Sequence, residues 1–70
     1  MNILVFKTNI TTRQQVSSVH GLLMAMADIT QYNFDLEDCD NVLRVVSNNL
    51  EAQTISRALQ VAGFSCEELV

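Results

Sequence analysis

Apolar and polar positions along the chain change period five times, and each change marks an element. Ile3 to Thr8 is an apolar, β-branched run with little polar interruption, which predicts a central strand buried on both sides. Val16, Val19, Leu23 and Met26 then recur at intervals of three and four, one face of an amphipathic helix. Thr11 and Thr12 each precede a glutamine by three residues, Gln14 and Gln15, so either threonine can open that helix with a capping box. Gly21 inside the helix costs about 1 kcal/mol relative to alanine. From Thr30 to Glu37 the period drops to two, with Tyr32, Phe34 and Leu36 on one side and Gln31, Asn33, Asp35 and Glu37 on the other, a half-buried strand.

The turn Asp38-Cys39-Asp40-Asn41 leads into Val42-Leu43-Arg44-Val45-Val46, so these two strands form a hairpin. Asn48 and Asn49 are expected to cap a second helix, in which Ile55, Ala58, Leu59 and Ala62 repeat at helical spacing. Gly63 stands where a helix end needs positive φ. Phe64 to Val70 closes the chain as a short strand, and Glu67-Glu68 makes it an edge. The order βαββαβ predicts an α+β, ferredoxin-like sandwich: a four-stranded antiparallel sheet of order 4-1-3-2 with both helices on one face. With 70 residues and neither a linker nor a low-complexity stretch, residues 1–70 are expected to form one domain.

Charge and composition then narrow the function. Apolar residues make up 49% of the chain, but no run approaches the ~20 residues of a membrane span, and the N-terminal segment lacks signal-peptide organisation. A cytoplasmic domain without membrane contact is the expectation. The formal charge of −4, with Lys7, Arg13, Arg44 and Arg57 as the cations, offers no basic stripe for nucleic acid. There is no glycine-rich phosphate loop, no nucleophile beside a base, and one histidine, His20, on the flank of the first helix; an enzyme is not expected.

Cys39 and Cys66 both fall toward the first-loop end of the sheet but on opposite edges, three strand spacings or ~14 Å apart. That is too far for a disulfide or a shared ion within one chain. Cys39 is expected to be an exposed turn thiol able to bridge two molecules, and Cys66 a small core residue. Asp35, Glu37, Asp38 and Asp40 surround Cys39. Strand alternation and turn chemistry account for these carboxylates, which could also hold a hard cation or meet a basic partner.

Across nearly its whole length the chain resembles the heavy-metal-associated domain, the copper chaperone family. In that family the first strand leads to a glycine, a methionine, a threonine or serine and then Cys-x-x-Cys at a helix start. Asn9 falls at the glycine, Ile10 at the methionine, Thr12 at the first cysteine and Gln15 at the second. Val16, Val19, Leu23 and Met26 match the buried helix positions, and Ala62-Gly63-Phe64 matches the end of the second helix. The resemblance implies the ferredoxin-like fold and partner docking around the first loop, here Asn9, Ile10, Thr11 and Arg13. It also implies a degenerate metal loop, because the threonine hydroxyl and glutamine amide at Thr12 and Gln15 are hard, weak ligands for Cu(I).

The expected function is thus a non-enzymatic binding module with a protein partner, no cofactor, and a monomeric or weakly dimeric state. One alternative relocates a metal ion to Cys39 with Asp38 and Asp40, or to cysteines of two chains. Another is a small-molecule regulatory domain of the ACT type, which shares the element order but wants a glycine-bearing first loop.

Overall fold

The computed structural model describes residues 2–69. Its elements run β1 (Asn2–Thr8), α1 (Arg13–Met24), β2 (Ile29–Asp35), β3 (Val42–Ser47), α2 (Ala52–Val61) and β4 (Cys66–Glu68). The sheet order is β2-β3-β1-β4, antiparallel throughout, as the pattern predicts. β1 is central because it pairs along its length with β3 and, through Phe6 to Thr8, with β4.

Both helices pack on one face of the sheet, α1 toward β2 and α2 toward β4. Their apolar stripes supply Val19, Leu23, Ile55 and Leu59, which close over Phe6, Leu43, Val45 and Cys66 from the strands. Val16 completes the α1 stripe as a half-buried residue, whereas Met26, expected on the same helix face, lies just past the Ala25 C-cap and packs half-buried against the core from the α1–β2 connection. The opposite face is open, which corrects the expectation that β1 is buried on both sides. Ile3, cross-strand from Val46, is 70% exposed. β1 reads as a doubly buried strand because β-branched residues also suit the open side of a sheet, where their shape, not their burial, selects them.

Strand and helix ends differ from the pattern in ways local chemistry explains. α1 is capped by Thr12, not Thr11. Neither Asn48 nor Asn49 caps α2: the N-cap is Glu51, without a side-chain bond, and Asn49 instead takes the left-handed conformation, φ 56°, to turn the chain out of β3. β2 ends at Asp35, leaving Leu36 and Glu37 to the turn, and β4 begins at Cys66, with Phe64 and Ser65 in the loop; Val70 lies outside the described residues. Gly63 behaves as predicted. At φ 96° it donates to the Gln60 carbonyl at 3.0 Å while Phe64 donates to Leu59 at 2.9 Å, the paired bonds of a Schellman ending.

Gly21 is exposed, lies within α1, and has no neighbour within 4 Å of where a Cβ would sit. Nothing in the packing therefore offsets its entropic cost in a helix. Gly21→Ala is expected to stabilise the protein by about 0.5–1 kcal/mol in urea unfolding; a neutral or destabilising result would contradict an unhindered helical position.

Candidate functional site

Loop 1 (residues 9–12), the β2–β3 turn and the α2–β4 loop meet at one end of the sheet. Thr8, the last residue of β1, ties the first two together. Its N–H donates to the Asp40 carbonyl at 3.1 Å, and its hydroxyl donates to the Asn41 carbonyl at 2.6 Å while accepting from the Ile10 N–H at 3.2 Å. The third loop is joined through Asn9, whose side-chain oxygen accepts from the Ser65 N–H at 3.0 Å. Ile10 is fully buried beneath this end, which anchors the loop to the core.

Above that anchor, Thr12 and Gln15 satisfy each other. The Thr12 hydroxyl accepts from the Gln15 N–H at 3.2 Å, and the Gln15 side-chain oxygen accepts from the N–H groups of Thr12 at 3.2 Å and Thr11 at 2.8 Å. The Thr11 hydroxyl also reaches that oxygen, at 3.4 Å. One carboxamide oxygen thereby gathers two backbone donors that precede the helix, which is why the register with Thr12 wins over that with Thr11. Both members of the pair offer oxygen, a hard donor, at the two positions where the resemblance places thiols. Arg13 opens α1 beside them and is exposed, as are Asn9 and Thr11.

In the neighbouring turn, Asp38 accepts the Asp40 N–H on its side chain at 2.9 Å and the Asn41 N–H on its carbonyl at 2.9 Å, with Asn41 left-handed at φ 48°. One ligand atom each from Asp38, Cys39 and Asp40 lies within 4.8 Å of the others. Asp40 also meets the Lys7 ammonium at 3.7 Å, and Asp35 meets Arg44 at 3.7 Å on the open face. All four groups are substantially exposed, so these pairs shape the surface more than they stabilise it.

Both cysteines are free, Cys39 exposed in the turn and Cys66 buried on β4. Burial pushes the Cys66 thiol up, with a smaller opposing effect from its hydrogen bond with Ser56. His20 is exposed on α1 and bonds through Nδ1 to the Tyr32 hydroxyl; Tyr32 in turn meets Phe34 edge-on, with centroids 5.8 Å apart. No described helix is long and apolar enough to cross a membrane.

Sequence patterns missed Thr8. Its alternation with Leu4 and Phe6 puts a hydroxyl on the helix-facing side of a central strand, and a buried hydroxyl at that position requires partners. That was the available signal.

Comparison with known proteins bears on the fold. No protein-family model matches the sequence, and no curated protein does. Among solved structures, the yeast copper transporter domain Ccc2a, determined in apo and Cu(I)-loaded states, superposes with a TM-score of 0.86 at 21% identity, covering 100% of this chain and 97% of that one. Equivalent agreement, TM-score 0.85 at 21% identity over the same shares, comes from the Atx1–Cu(I)–Ccc2a complex. The copper(I)-loaded first domain of the human copper chaperone for SOD1, CCS, gives 0.78 at 23% identity over 94% of this chain and 89% of that one. The fold is shared with copper-transporter and copper-chaperone domains. The resemblance read from the sequence thus holds at the level of three-dimensional structure.

Two outcomes test the site as built. Thr8→Val keeps the shape but strands the Ile10 N–H and the Asn41 carbonyl, and is expected to cost about 1–3 kcal/mol in denaturant unfolding; a smaller loss would show that Thr8 does not hold this end together. The raised Cys66 thiol pKa means that the unfolded chain loses this proton first as pH rises. Its contribution to stability is complete below the unfolded thiol's pKa and is lost as pH climbs through the folded value. Melting temperature should therefore fall through the alkaline range less steeply in Cys66→Ala than in the parent, after allowing for the substitution's pH-independent cost.

Proposed function

We propose that the 70 residues form a non-enzymatic interaction domain that docks a protein partner at the end formed by loop 1 and the β2–β3 turn, in a reducing, cytoplasmic setting. Asn9, Thr11 and Arg13 would meet the partner while Ile10 anchors them from below. Thr12 and Gln15 would serve this surface as a helix cap in place of a metal clasp. The observation that carries the reading is the engagement of the Gln15 carboxamide by Thr11 and Thr12, which organises the loop with no ion required.

Two further facts support it. The Atx1–Cu(I)–Ccc2a complex has a domain of this fold joined to another protein. Among the described residues the ion pairs of the hairpin engage Asp35 and Asp40 but not Glu37 or Asp38, which leaves negative charge at its tip for a basic partner surface. The two free thiols accord with a reducing compartment.

Titration with Cu(I) and with Zn(II) under reducing conditions, followed by backbone amide shifts, tests the loop. The expected result is no saturable shift from Thr12 to Gln15; tight stoichiometric binding centred there would sink the proposal.

A second reading rests on the proximity of the Asp38, Cys39 and Asp40 ligand atoms, which would relocate metal binding to the turn. The same titration separates it, since shifts would then centre on Asp38 to Asn41 and vanish in Cys39→Ala. Binding that persists undiminished in that variant would exclude the relocated site.

A further inference from the structure

The two edges of the sheet are built differently. β4 spans only three residues, two of them glutamates, and the Gln60 side chain donates to its Cys66 carbonyl at 3.2 Å. A short, charged and partly covered strand is a poor template for another chain. β2, at the other edge, runs seven residues, pairs among the described residues only with β3, contains no lysine, arginine or proline, and carries a single charge at its last residue, Asp35. Its one irregularity lies between Ile29 and Gln31, where the register against β3 shifts. From Gln31 to Asp35 the strand is regular, so five residues present an unprotected edge.

We propose that this edge pairs with β2 of a second copy of the chain, antiparallel and two-fold symmetric about Asn33. The regular segment selects the centre. Placing Asn33 opposite its own copy sets Tyr32 opposite the second copy's Phe34, and Gln31 opposite its Asp35. Every pair is favourable or neutral. Tyr32 and Phe34 lie on the helix-facing side, both half-buried, and already contact each other edge-on within one chain. Two reciprocal Tyr–Phe pairs would continue that aromatic cluster across the seam. On the open face the Gln31 carboxamide can donate to the opposing carboxylate, whose charge is already balanced by Arg44 at 3.7 Å. The two Asp35 carboxylates fall at opposite ends of the paired segment, so like charges do not meet.

A second copy is favoured over a strand of another protein because one short segment supplies complementary partners to both sides of the ladder. The result is an eight-stranded sheet with an α1 helix on each side of the seam. Because the two β2 strands run in opposite directions, their loop ends point away from each other, and the docking surface proposed above stays accessible on both.

Sedimentation equilibrium from roughly 10 μM to 1 mM, a range suited to a weak homodimer, should show the weight-average mass rising toward twice that of the chain. Asn33→Lys puts two ammonium groups face to face at the centre of the seam, on an exposed position that leaves the core untouched. It should weaken self-association at least about tenfold with the melting temperature of dilute protein unchanged. In a Cys39→Ser background, Asn33→Cys should form an intermolecular disulfide under mild oxidation, because directly opposed residues have Cα atoms within bonding range. Gln31→Cys, whose opposite number is Asp35, should not. A mass that stays monomeric throughout overturns the proposal, even if a strand of another protein adds to this edge. So does a dimer indifferent to Asn33→Lys, or a Gln31→Cys cross-link as efficient as that of Asn33→Cys.

Discussion

The junction between loop 1 and the β2–β3 turn rests on one buried hydroxyl. Thr8 sits on the central strand, and from there it fixes both Ile10 at the start of loop 1 and Asn41 at the close of the β2–β3 turn. Two excursions that are more than thirty residues apart in sequence thereby share one rigid reference. Without it, each loop would have to be held by its own turn chemistry. With it, the surfaces presented by Thr11, Arg13 and Asp38 are positioned by the same strand that organises the core. Backbone order at this end is therefore a property of β1, to which the side chains of the loop contribute a second, independent layer through Gln15.

That division accounts for a scaffold shared with copper domains at 21% identity. The core asks only for apolar side chains of suitable volume at alternating or helical positions, and many sequences satisfy it. Ligand binding asks for particular donor atoms at particular positions, a narrower requirement than that of the core. A helix start needs its first N–H groups met, by side chains, by water or by a ligand. Thr12 and Gln15 meet that need with their own side-chain oxygens, so the start of α1 is closed by residues of the chain itself.

What could be read along the chain follows the same logic. Periodicity located all six elements, the strand order and the buried stripe of α1, because burial on one side of a helix or strand imposes a repeat. Gly63 and a capping box at the start of α1 were legible because each satisfies a local backbone requirement within a few residues, although the choice of Thr12–Gln15 over Thr11–Gln14 was not. Asn48 and Asn49 misled for the complementary reason: asparagine suits both a helix cap and a left-handed turn, and the tertiary path out of β3 required the turn. The open face of β1 was illegible since Ile3 and Val5 have the same shape preferences whether or not anything covers them. Thr8 and Asn9 act on residues 33 and 56 positions away, and no local pattern carries that information.

The pairing of β1 with β4 has an architectural consequence. β4 runs antiparallel to the first strand from Thr8 back toward its beginning, and the Leu69 N–H already bonds to the Val5 carbonyl. The first and last of the described strands are thus hydrogen-bonded neighbours, although 57 residues separate Thr8 from Cys66 along the chain. The segment that completes the sheet is held by the strand that begins it, so the β1–β4 ladder closes the fold like a clasp.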